Sequence, residues 1–102
     1  MKQLITLCFI VLLASCGVAQ QGYSTKSKKA IKLYQLAKTV PGSELDDYGR
    51  PNYIGAIEVL DQAIKKDENF VEAYLMKSEF AEILGKFELA LQCQEKAIEI
   101  DP

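Results

Sequence analysis

Three groups of residues in this chain have types that can do chemistry. They are the cysteines Cys8, Cys16 and Cys93, the loop residues Asp46, Asp47 and Asn52, and the glutamates Glu72, Glu79 and Glu82. Catalysis needs more company than they have. Histidine is absent, which removes the commonest general base and metal ligand. Cys93 lies between Gln92 and Gln94 with no base beside it to depress its pKa, the setting of a packed small residue rather than a nucleophile. Asp46, Asp47 and Asn52 lack the alternating ligands and closing glutamate of a calcium loop, so they read as a solvated turn. No glycine-rich phosphate loop, CxxC pair or nucleophile–base pattern occurs. The sequence therefore predicts a protein that is not an enzyme, with no cofactor, no metal and no small-molecule substrate. Glu72, Glu79 and Glu82 recur at helical spacing, which suits either a surface for a basic segment or a solvated face.

Composition supports a folded domain of modest size. With 102 residues, 49% of them hydrophobic and 25% charged, the chain is suited to one small globular unit rather than to disorder. A net charge of −2 is too small to imply a nucleic-acid partner. The basic residues are nevertheless uneven: Lys26, Lys28, Lys29, Lys32 and Lys38 crowd the first predicted helix.

Ahead of that helix, Lys2 and the apolar run Leu4 to Ala14 have the layout of a secretory signal, and the run is too short to span a bilayer as a helix. It ends in Leu13-Ala14-Ser15-Cys16, which resembles the lipobox of bacterial lipoproteins. That resemblance implies a signal peptide over 1–15, a diacylglycerol on Cys16, and a lipidated tether over 16–24. At least two acyl chains suffice for stable anchoring. Two other readings stay open: cleavage after Ala19 at Gly17-Val18-Ala19, giving a secreted protein, and an uncleaved short anchor. Cys8 lies inside the apolar run, so Cys93 is the one thiol of the predicted domain and no disulfide framework arises.

Four helices are predicted beyond the tether: Thr25 to Thr39, ended by Pro41-Gly42; Asn52 to Lys66; a third opening on Asn69-Phe70-Val71-Glu72 as an Asx capping box and ending at Leu84; and Phe87 to Ile100. Ile31, Leu33, Leu36, Ala37 and Val40 form the apolar stripe of the first, and Ile54, Ile57, Leu60, Ala63 and Ile64 that of the second. A repeat underlies them. Tyr53, Ala56, Ala63, Ile64 and Asp67 recur 34 residues later as Phe87, Ala90, Ala97, Ile98 and Asp101.

The segment Phe70 to Pro102 resembles a tetratricopeptide repeat: Tyr74 early in its first helix, Ser78 four later, Gly85 at the turn, then Phe87, Ala90, Ala97 and a closing Pro102. An earlier unit resembles it through Ala37, Ala56 and Ala63, with an insertion in the loop 41–51. The expected units are 25–68 and 69–102, an all-α fold of two antiparallel helix–turn–helix pairs. Small residues at Ala37, Ser78, Ala56, Ala90, Ala63 and Ala97 let helices approach, and Phe87 is expected to fill the wedge at its turn. The resemblance also implies a groove lined by Ile31, Tyr34, Lys38, Glu72, Leu75, Glu79, Glu82 and Ile83, suited to a basic and aliphatic partner segment.

Two repeats are fewer than such arrays usually need, so the chain reads as the N-terminal piece of a longer protein. Lipobox and repeats together resemble outer-membrane lipoproteins in which repeats precede an OmpA-like domain. The implied function is a non-catalytic interaction module in a lipid-anchored envelope complex, facing the periplasm from the outer membrane, with protein partners and a membrane contact. The alternatives are a soluble periplasmic or secreted location, and a structural module docking on the C-terminal domains of a longer OmpA-like protein.

Overall fold

The computed structural model describes residues 22–102. Helix α1 spans Lys28–Ser43, α2 Tyr53–Lys66, α3 Val71–Ile83 and α4 Phe87–Ile100. The expected all-α fold is what forms: α1 packs along α2, α3 along α4, and α2 against α3, so two helix–turn–helix pairs stack in series.

Local chemistry sets where the helices begin and end. Ser27 Oγ accepts from the Ala30 N–H at 3.1 Å, and Asn52 Oδ1 accepts from the Gly55 N–H at 2.9 Å; each thereby satisfies a donor that the helix itself leaves free. Helix α1 thus starts later than the expected Thr25, whose Oγ1 instead accepts from the Ser27 N–H at 3.1 Å. It also runs through Pro41, where the sequence predicted a stop. Proline suits helical φ, and its missing N–H costs a single bond, the one to the Ala37 carbonyl. One turn from the end, the Ser43 hydroxyl donates to the Thr39 carbonyl at 2.9 Å, and the Glu44 N–H reaches the Val40 carbonyl at 2.9 Å.

The expected Asx capping box at Asn69 does not form. The N-cap of α3 is Phe70, which makes no side-chain cap bond. Asn69 is drawn the other way, its N–H donating to Asp67 Oδ1 at 3.0 Å.

Residues 44–52, expected as a solvated turn, are a small ordered hairpin. Leu45 and Pro51 form an antiparallel bridge, and the Asp46 N–H donates to the Arg50 carbonyl at 2.7 Å. Asp46 holds the tip: its Oδ1 accepts from the N–H groups of Tyr48 and Arg50, both at 2.9 Å, and its Oδ2 meets Arg50 Nε at 3.1 Å. The Arg50 N–H is the foremost reason the Asp46 carboxyl is held below its ordinary pKa. Between α3 and α4, Gly85 takes φ +76°, the left-handed conformation that ends helices. A Cβ there would touch nothing, so the requirement is dihedral rather than steric.

The main core joins both pairs. Ala30, Tyr34 and Ala37 of α1, Leu60 and Ala63 of α2, and Phe70 and Ala73 at the start of α3 form one buried cluster. Ile57, Ala81 and Ala90 form a second, smaller one. Ala56, Ser78, Cys93 and Ala97 are also buried. Two residues of the expected apolar stripes face outward instead, Leu36 on α1 and Ile54 on α2. Phe87 is corrected as well: it fills no wedge but is 70% exposed. Its counterpart Tyr53 is covered by Phe80 of the following helix, with ring centroids 5.2 Å apart, and among the described residues no helix follows α4 to do the same for Phe87.

Candidate functional site

Helices α1 and α3 lie side by side and leave a shallow cleft of about 210 Å³ lined by Tyr34, Glu72, Leu75, Met76 and Glu79. Four of these five belong to the groove expected from the sequence; Met76 does not. Tyr34 is a floor rather than a free contact. It is a buried core residue whose ring lies 5.2 Å from that of Phe70, with Lys38 Nζ 5.1 Å above its centroid. Burial pushes its hydroxyl pKa up, helped by Tyr23, Glu72 and Glu79. Leu75 and Glu79 are exposed, and Ile31 is half-buried.

The other expected groove residues are elsewhere. Glu82 Oε1 accepts from Gln94 Nε2 at 3.1 Å, so Glu82 faces α4 and stitches the second pair. Ile83 borders a separate cleft of about 190 Å³ with Asp46, Arg50, Pro51, Tyr53 and Leu84. Glu82 and Ile83 lie one turn beyond Glu79, where α4 and the hairpin at 46–51 are their neighbours, contacts that spacing along a single helix does not reveal.

Glu72 is engaged rather than free. The Ser24 N–H donates to its two oxygens at 3.1 and 3.2 Å, and the Ser24 hydroxyl donates to Oε2 at 2.6 Å. The same hydroxyl oxygen accepts from the Val71 N–H at 3.0 Å, replacing the cap that Phe70 cannot supply. Next to it, Tyr23 packs edge-on against Tyr34 and Phe70 at 5.4 and 6.1 Å, and Thr25 is buried. Residues 23 and 24, read from the sequence as tether, thus bind the front of the second pair. A cap supplied from 47 residues upstream leaves no local sequence signal.

At the joint between the pairs, Lys77 Nζ meets Asp61 Oδ1 at 2.6 Å. Tyr74 donates its hydroxyl to the Glu68 carbonyl at 2.9 Å. Cys93 is buried, and that burial pushes its thiol pKa up, with Lys77 pulling the opposite way. Among the described residues no group of three His, Cys, Asp or Glu side chains is placed to hold a metal ion.

An open apolar surface runs along the outer side of α4, where Phe87, Leu91 (56% exposed) and Ile98 (63% exposed) form a row. Spacings of four and seven residues put them on one face, with Gln94 between and Glu88, Glu95 and Glu99 along one flank. Pro102 lies exposed just beyond the end of this helix.

A family model described as tetratricopeptide repeat matches residues 71–102. No curated protein and no solved structure matches the chain. These findings correct the expected lipid-anchored membrane contact and outer-membrane location. The described residues pack as a compact helical unit, among them no helix is long and apolar enough to cross a membrane, and what the family model matches is a repeat segment. Cys16, the expected lipid attachment point, and the apolar run before it lie outside the described residues. Residues 71–102 are thus a tetratricopeptide-like repeat, and the four described helices form two helix–turn–helix pairs of that type.

Proposed function

We propose that this chain is a non-catalytic structural module that docks against another protein surface through the outer face of α4, its units being 25–68, with the loop 41–51 inserted, and 69–102. The observation that carries this reading is the uncovered row Phe87, Leu91 and Ile98. Isolated exposed apolar residues are ordinary, but three in register on one helix make a seam. The same seam positions on α2 are covered: Ile57 is 9% exposed, and Tyr53 and Ile64 are packed under neighbours. The occupant that fits is an amphipathic helix with an apolar stripe and basic residues at its edge, because Glu88, Glu95 and Glu99 border the row.

A second reading, a groove that takes an extended basic and aliphatic segment, is supported by the cleft over Tyr34, with Leu75 and Glu79 exposed at its rim. One experiment separates the two. A photo-crosslinking side chain replaces Leu91 in one variant and Glu79 in another, and both are irradiated in producing cells. Protein adducts formed from position 91 and not from 79 are the expected result. Adducts from 79 alone favour the groove, and none from either site overturns the module reading.

A further inference from the structure

We infer that the lysine-rich start of α1 is a second docking surface, whose occupant is a partner-protein segment carrying acidic residues next to an aliphatic one. This surface is at the other end of the stack from the α4 seam and does not depend on it.

Two helices contribute. The Thr25 hydroxyl donates to the Asp67 carboxylate, which brings the start of α1 against the end of α2. Lys26, Lys28, Lys29 and Lys32 are thereby joined by Lys65 and Lys66, and all six are exposed. The acidic residues at this end are fewer and mostly engaged. Asp67 holds Thr25 and the Asn69 N–H, Glu72 holds Ser24, and only Glu68 is left. Among the described residues none of the six lysines is paired with a carboxylate; the ion pairs there are Arg50–Asp46, Lys77–Asp61 and Lys96–Glu99. The second pair of helices is acidic instead. Neither helix stability nor solvation accounts for such a cluster. Cations oppose the dipole at a helix start, and α1 has no acidic residue in its first turn to offset them. Mixed charges suffice for solubility, whereas a single sign builds a field that draws anions.

The shape of the face selects the occupant. Spacings of three and four residues put Lys28, Lys29, Lys32 and Leu36 on one side of α1, away from buried Ala30, Tyr34 and Ala37. Leu36, 51% exposed, and half-buried Leu33 continue the lysines toward the middle of the helix. Aligning Ala37 with Ser78, both buried small residues, sets Lys29 and Lys32 where α3 has the fully buried Phe70 and Ala73. An apolar helix covering α1 as α2 covers α3 would thus bury unpaired ammonium groups, a heavy cost. A segment with carboxylates over Lys28, Lys29 and Lys32 and an aliphatic side chain over Leu36 leaves none unpaired. Nucleic acid fits less well. The patch has no exposed aromatic ring for a base, and Arg50, the one arginine, lies in the hairpin at the other end of the pair.

The test measures fluorescence anisotropy of a labelled peptide of Glu-Glu-Leu repeats titrated with the full chain. A Gln-Gln-Leu peptide, a single-stranded oligonucleotide and vesicles of anionic lipid are run beside it. The acidic peptide should bind, less tightly as salt rises, and the Gln-Gln-Leu peptide should not. K29E/K32E should weaken that binding roughly tenfold, with helix content unchanged by circular dichroism. K86E/K96E makes the same change in net charge elsewhere and should leave binding as it was. Leu36→Asn should weaken it by a smaller factor. No binding of the acidic peptide overturns the inference, as does an equal loss in the two reversals, which would mean net charge rather than a surface. Tighter binding of the oligonucleotide or the vesicles through Lys29 and Lys32 also overturns it, because the lysines then serve another class of partner. Crosslinking from position 91 is read separately, so failure here leaves the α4 docking reading standing.

Discussion

Helices α2 and α4 occupy the same place in their repeats but live in different surroundings. α2 is held on two sides, by α1 and by α3, and buries Ile57, Leu60 and both of its repeat alanines. α4 packs along α3 alone and buries only Ala90, Cys93 and Ala97, all small. The repeat therefore encodes a helix with two working faces. Close approach on the alanine side is local to the pair, whereas coverage of the apolar row depends on what comes next. The first pair thus carries most of the large buried side chains, and the second is attached to it by Phe70, Lys77 and the Ser24 clamp.

This contrast can be broken most sharply at Phe70, which is fully buried where α1, α2 and α3 meet. Phe70→Ala should cost about 3–5 kcal/mol in urea unfolding of the full chain. A loss under 1 kcal/mol would show that the pairs do not share a core. Next, Ala90→Leu tests close approach within the second pair. With Ala90 buried against α3, overpacking should cost roughly 1–3 kcal/mol in the same assay. Third, Ser24→Ala removes a cap and a carboxylate partner together, with an expected loss of about 0.5–2 kcal/mol. Hydrogen exchange at the Val71 amide should rise in that variant and not in Ser43→Ala.

The smallest effect concerns pH. The Thr25 hydroxyl, followed by the Asn69 N–H, lowers the Asp67 pKa. A lowered folded pKa means that the ionised form favours the native state, so this contribution is present above the unfolded value and fades as pH falls through the folded one. Between pH 5 and 3 the wild type should lose more stability than Asp67→Asn, measured by urea midpoint. Equal losses would remove Asp67 from the account.

The pattern of small residues made the pairs legible in the sequence, since alanines seven apart can serve few other ends. The limits of α4, Phe87 to Ile100, were legible as well, because Gly85 and Asp101-Pro102 bracket them. The end of α1 was not. Pro41 is a stop signal only where its lost bond matters, and near the end of a helix a serine hydroxyl can serve the exposed carbonyls. The cleft was half legible: Leu75 and Glu79 follow from the resemblance to the repeat, but the turning of Glu82 toward Gln94 depends on how α4 crosses. The Ser24 clamp and the folding of 44–52 around Asp46 rest on contacts that chain periodicity does not describe.

Cys93 has a practical consequence of its own. The thiol is shut between α3 and α4 and its ionisation is suppressed, so an alkylating reagent can reach it only while the last helix lifts away. With Cys8 and Cys16 replaced by serine, the labelling rate of Cys93 is a stopwatch for that opening. Any protein seated on the outer side of the last helix would slow the clock.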